Sequence, residues 1–103
     1  MTEHAVARLD EIPPGEGRAF GVGDRQIAVF RLRDDTLRAL DAVCPHRGGP
    51  LADGLLDARV VVCPLHNHTF DLCSGAEMAF GGYATTSYAV RVDETGTVHV
   101  DVG

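Results

Sequence analysis

Two short segments decide how this chain is read: Cys44-Pro45-His46-Arg47-Gly48-Gly49-Pro50-Leu51-Ala52-Asp53-Gly54 and Cys63-Pro64-Leu65-His66. Sixteen residues separate His46 from Cys63. Each segment offers one thiol and one imidazole, and a loop of this size can aim both side chains at one inorganic centre without helical geometry. Two such pincers make a four-donor site. A C2H2 zinc finger instead pairs Cys with Cys and His with His on separate elements, with a helix carrying the histidines. The interleaved order here favours a centre with two chemically distinct ends, and a structural zinc site is the bland alternative.

Outward from these segments the pattern is one of short strands and frequent turns, with no convincing helix. Val60-Val61-Val62 predicts a short buried strand leading into Cys63, and Thr69-Phe70-Asp71-Leu72 a second one ending in a turn at Cys73-Ser74-Gly75. Upstream, Ala28, Phe30 and Leu32 share one face of an extended segment, while Ile27 and Val29 give way to Arg31 and Arg33 on the other, which predicts a half-buried strand over residues 25–33. Asp34-Asp35-Thr36 supplies turn chemistry before Leu37 to Ala42, so the two segments form a hairpin. Downstream, Tyr88, Val90 and Val92 alternate with Ala89 and Arg91. Asp93-Glu94-Thr95-Gly96 then turns the chain, and Val98, Val100 and Val102 alternate with Thr97, His99 and Asp101, a second hairpin.

The organisation that results is a single all-β domain over residues 1–103: an antiparallel β-sandwich with an inserted subdomain. The basal part covers about residues 1–42 and 84–103, and the insertion, where Gly and Pro punctuate short apolar runs, about residues 43–83. Pro13-Pro14-Gly15-Glu16-Gly17 is a loop too short to separate two domains. With 103 residues, 45% of them hydrophobic, the chain has room for one modest core. Fifteen acidic against nine basic side chains leave a net charge of −6, which argues against nucleic acid and anionic membranes as partners. All nine basic residues are Arg. No long apolar run and no secretory signal appear, so the expected location is the cytoplasm. Three Cys in that compartment point to metal or cluster binding before a disulfide framework.

Through residues 44–54 and 63–66 the chain resembles the Rieske family of [2Fe-2S] proteins. The resemblance implies a Rieske-like β-sandwich with an inserted cluster-binding subdomain, and one [2Fe-2S] cluster per chain. Carried across residue by residue, Cys44 and Cys63 hold the inner iron, and His46 and His66 hold the outer iron near the surface. Two thiolates cancel the charge of two ferric ions bridged by two sulfides, so the oxidised site is neutral before it accepts an electron. Four thiolates would leave it a dianion, one reason that Rieske potentials of roughly −150 to +300 mV exceed the about −400 mV of plant-type ferredoxins.

Departures from the family's high-potential members set an expectation within that range. Those members carry a disulfide whose positions here are Gly49 and Leu65, and hydroxyl donors whose positions here are His68 and Phe70. Fewer donors to sulfur stabilise the reduced state less, so a low Rieske potential is expected. Gly48, Gly49 and Gly54 are expected to allow positive φ angles and to let backbone N–H groups approach the cluster sulfurs. Leu51, Phe70, Phe80 and Tyr83 read as packing or as a lid, although residues 79–84 lack the proline of the family's covering loop. His68 reads as a solvated neighbour of the site, Cys73 as a small thiol, and His4 and His99 as exposed polar residues.

A cluster whose iron positions are all filled by protein and sulfide has no place for substrate. The chain is therefore expected to carry electrons and to be no enzyme on its own. What the resemblance implies about partners is a flavoprotein reductase together with a terminal oxidoreductase. Residues 28–32, 39–41, 44–51 and 86–92 lean towards the small subunit of NAD(P)H-dependent nitrite reductase, and the alternative is the ferredoxin component of an aromatic-ring dioxygenase. A redox sensor would need a DNA-reading or signalling surface that this acidic sequence does not display.

Overall fold

A computed structural model describes residues 3–23, 25–42, 51–56, 60–62, 69–72, 74–76 and 85–102 of the chain. Among these, two 3-10 turns, Leu9–Glu11 and Leu51–Asp53, interrupt an otherwise all-strand structure. No described helix is long and apolar enough to cross a membrane.

The strands are β1 Glu3–Arg8, β2 Glu16–Val22, β3 Arg25–Arg31, β4 Leu37–Asp41, β5 Leu55–Leu56, β6 Val60–Val62, β7 Thr69–Asp71, β8 Ser87–Val92 and β9 Thr97–Asp101. Six of them form one sheet in the order β1-β9-β8-β4-β3-β2, and β5-β6-β7 form a second sheet inserted between β4 and β8. Every pairing is antiparallel. Both hairpins expected from alternation are present. The first turns at Asp35, in the left-handed region at φ 69°, with the Leu32 N–H donating to Thr36 at 2.8 Å and the Asp34 side chain accepting the Thr36 N–H at 3.0 Å. Asp tolerates that region better than most residues because its short side chain bonds locally.

The half-buried reading of β3 needs correction, because Ile27, Ala28, Val29 and Phe30 are all fully buried. Ala28 and Phe30 pack with Leu40, Ala42, Leu51, Val61, Phe70 and Leu72. Ile27 and Val29 point the other way, into a cluster with Ile12, Val22, Leu37, Ala39, Val98 and Val100. Val98 and Val100 of β9 thus meet Val22 of β2 and Ile27 and Val29 of β3 around Ile12, while Leu51, Val61, Phe70 and Leu72 cover the other side, so neither face of β3 is left to solvent between Ile27 and Phe30. Each Val, Leu, Ile and Phe among them contributes about 1.5–3 kcal/mol through burial.

Strands β1, β2 and β5 are absent from the pattern-based expectation, and Glu16 and Gly17 belong to β2 instead of to the preceding loop. Pairing starts at Glu16 opposite Arg31 and runs to Val22 opposite Arg25. Backbone pairing makes this strand, since its side chains show little alternation. Gly17 lies where a Cβ would meet the Phe30 ring at 2.6 Å, so the strand is pressed close to the core.

Candidate metal centre

Cys44, His46, Cys63 and His66 lie outside the described residues, as do Gly48, Gly49, Leu65, His68, Cys73, Phe80, Tyr83 and the expected lid 79–84. The structure describes the roots from which both ligand segments spring.

The first root follows β4. Asp41, its last residue, donates its N–H to the Thr86 carbonyl at 3.0 Å, and Ala42 donates to Gln26 at 2.8 Å. Leu51 then donates back to Ala42 at 2.8 Å, so residues 43–50 begin and end at one hydrogen bond. The second root is the β6–β7 hairpin, in which Val62 pairs with Thr69 and residues 63–68 form the connection. Cys63 thus starts directly at the end of a paired strand.

The two roots are held side by side. Leu55, four residues after the first loop closes, pairs with Val62, immediately before Cys63. Ala42 and Leu51 share one buried cluster with Val61 and Phe70, which fits the expected packing role of Leu51 and Phe70. At Gly54 a Cβ would overlap the Val62 carbonyl oxygen and stand 2.8 Å from Val61 Cγ2. The expectation of a positive φ at Gly54 is corrected: Gly54 is absent from the left-handed glycines. Its N–H is engaged by the Leu51 carbonyl at 2.9 Å, not directed at a cluster. Glycine stands here because two backbones meet.

Among the described residues no group of three or more His, Cys, Asp and Glu side chains gathers to hold a metal. His4 is half-buried, and His99, read above as exposed, is largely covered and has Nε2 2.8 Å from Asp93 Oδ2. The expected donor set, two thiols and two imidazoles, has the chemistry of a [2Fe-2S] cluster with mixed ligation, and the flanks of both segments stand side by side.

One group near the first root escaped the sequence reading. The Tyr88 hydroxyl donates to Asp41 Oδ1 at 2.6 Å and accepts from Arg25 Nη1 at 2.9 Å. Burial, and next the bond to Asp41, push the phenol above its ordinary value, with Arg25 acting in the opposite sense. Alternation alone gave Tyr88 a packing role, and only the pairing of β4 with β8 brings it to Asp41.

A family model, Rieske [2Fe-2S] domain, matches residues 2–89. The anthranilate 1,2-dioxygenase ferredoxin subunit of Burkholderia cepacia is 34% identical over 97% of this chain and 92% of its own. Among solved structures, the ferredoxin of carbazole 1,9a-dioxygenase from Nocardioides aromaticivorans IC177 superposes with a TM-score of 0.88 at 32% identity, covering 97% of each chain. A protein from Mycobacterium tuberculosis assigned as an NADH-dependent nitrite reductase small subunit superposes with a TM-score of 0.91 at 26% identity, covering 99% of this chain and 96% of its own.

Proposed function

The chain belongs to the Rieske [2Fe-2S] domain family, and from that premise we propose that Cys44 and Cys63 hold one iron of its cluster and His46 and His66 the other. The ligands then sit in a subdomain of about residues 43–83, set on a base of about residues 1–42 and 84–103. The observation that carries this reading is the pairing of Leu55 with Val62, which ties the chain leaving the first ligand loop to the residue preceding the second. The cluster supplies reversible one-electron oxidation and reduction. With two thiolates and two imidazoles as its protein ligands, the cluster would have no open iron position for substrate. Ligation through the nearer ring nitrogen would leave each imidazole's far nitrogen available to a partner protein or a proton.

The chain is an electron-transfer domain, and its work is to take single electrons from a flavoprotein reductase and deliver them to a terminal oxidoreductase. The ring-hydroxylating oxygenase system comes first among the acceptors, because the likeness to dioxygenase ferredoxins reaches 34% and 32% identity over nearly whole chains. The nitrite reductase small-subunit reading stands second, supported by the TM-score of 0.91 and by the resemblance of residues 28–32 and 86–92 to that group.

The deciding experiment mixes the anaerobically purified, iron-loaded protein with NADH and a flavoprotein reductase. A ring-hydroxylating oxygenase or a sirohaem nitrite reductase large subunit is then added as acceptor. Reoxidation coupled to hydroxylated product supports the first reading, coupled nitrite consumption supports the second, and failure of NADH to reduce the protein with either set refutes electron transfer.

A further inference from the structure

Three side chains from three strands meet at the end of the strand that leads into the first ligand segment. Asp41 ends β4 three positions before Cys44, Tyr88 lies in β8, and Arg25 opens β3. Tyr88 sits opposite Ala39 in the register, so Asp41 is its diagonal neighbour on the same face, within reach of an aromatic side chain. The phenol donates to the Asp41 carboxylate at 2.6 Å, the length of a charge-assisted bond. Arg25 holds the phenol from the other side, by the 2.9 Å bond and with its guanidinium carbon 5.9 Å from the ring centroid. The described β4–β8 pairing is short, spanning only Ala39 with Tyr88 and Leu40 with Ser87. Beyond Leu40 the strand end is kept against β8 by the Asp41 N–H on Thr86 and by the Asp41 side chain on Tyr88.

We propose that Tyr88 is a positioning residue for the metal centre: through Asp41 it fixes the direction in which the chain leaves β4 towards Cys44 and His46. The proposal rests on the ligand assignment above. Groups that hold ligands in place tune a metal centre as the ligands themselves do, and cluster potential responds to hydrogen bonding and solvent exposure around the ligands. A Tyr88 hydroxyl that served stability alone would change the melting temperature and leave the spectrum and potential untouched.

The test uses the holoprotein. Tyr88→Phe keeps the ring and its contact with Arg25 and removes the hydroxyl. The expected result is unchanged iron content, a broadened EPR signal of the reduced protein, a midpoint potential displaced beyond replicate scatter, and exchange of the Asp41 amide faster by at least about tenfold. Protection along the β2–β3 pair stays as in the wild type. Asp41→Ala reproduces these changes, and Asp41→Asn, which keeps an acceptor oxygen, restores the wild-type line shape and slow exchange. Should Tyr88→Phe not fold, the contrast between Asp41→Ala and Asp41→Asn decides. Wild-type line shape, potential and exchange in Tyr88→Phe and Asp41→Ala overturn the proposal alone. A wild-type protein with no Rieske spectrum overturns the ligand assignment and the proposal together.

Discussion

Gly54 and the carbonyl of Val62 stand so close that no side chain fits between them, which joins the exit of the first ligand loop to the entrance of the second. Gly54→Ala forces the two backbones apart. The expected cost is about 1–3 kcal/mol in chemical denaturation, with lowered iron content. Gly21→Ala is the control: its new Cβ meets nothing closer than the Gln26 amide nitrogen at 3.6 Å, and stability should stay within about 0.5 kcal/mol. Equal stabilities for both variants would remove the close approach as the reason for glycine at position 54.

The two hydrophobic clusters differ in what they support. Leu72 belongs to the cluster that holds Ala42 and Leu51, which bracket the first ligand segment, and Ile27 to the cluster with Val98 and Val100. Leu72→Ala and Ile27→Ala should each cost about 2–5 kcal/mol. Iron retained per folded chain after gel filtration should fall for Leu72→Ala and hold for Ile27→Ala. Equal retention would show that loop support does not depend on which cluster is thinned.

Ligand substitutions give a spectroscopic prediction. Replacing His46 or His66 by Ala should abolish the Rieske absorption and EPR signals, and His68→Ala should leave them largely intact. An unchanged spectrum in either ligand variant refutes the assignment of that residue. With Leu65 and Gly49 in the disulfide positions and Phe70 in a hydroxyl position, redox titration should return a potential towards the lower end of the family range, near about −150 mV. A value near the upper end would show that those substitutions do not set it.

Asp93 gives the structure a pH dependence far from the ligand segments in sequence. Its carboxylate accepts the Thr95 hydroxyl at 2.6 Å and the Thr95 and Thr97 N–H groups at 2.9 and 3.0 Å, with His99 at 2.8 Å. The Thr95 hydroxyl first, and then His99, hold the carboxyl well below its usual range. A carboxyl depressed in the folded state contributes stability in full above its unfolded value of about 3.9, and loses it as pH falls further. Melting temperatures of the wild type should therefore exceed those of Asp93→Asn at pH 7 and approach them as pH drops from about 4 towards 2. A constant gap across that range would show that the charge contributes nothing.

Side-chain pattern made the two flanking hairpins legible: Val98 and Val100 alternate with Thr97, His99 and Asp101 at the strand period, and the apolar run Ile27 to Phe30 ends at Arg31 before the Asp34-Asp35-Thr36 turn. The Cys-x-His and Cys-x-x-His boxes made the chemistry legible, since few centres use two thiols and two imidazoles in that order. Long-range contact accounts for the rest. Strands β1 and β2 take their form from the register with β9 and β3, and a backbone ladder leaves little trace in side-chain alternation. The second buried face of β3 exists because Leu51, Val61, Phe70 and Leu72 pack against Ala28 and Phe30. Gly54 owes its place to a carbonyl eight residues away, and Tyr88 reaches an aspartate 47 positions earlier. Composition and periodicity report how a residue relates to its neighbours in the chain. They are silent about which distant backbone or carboxylate folding brings against it, and the roots of the metal centre are built from those encounters.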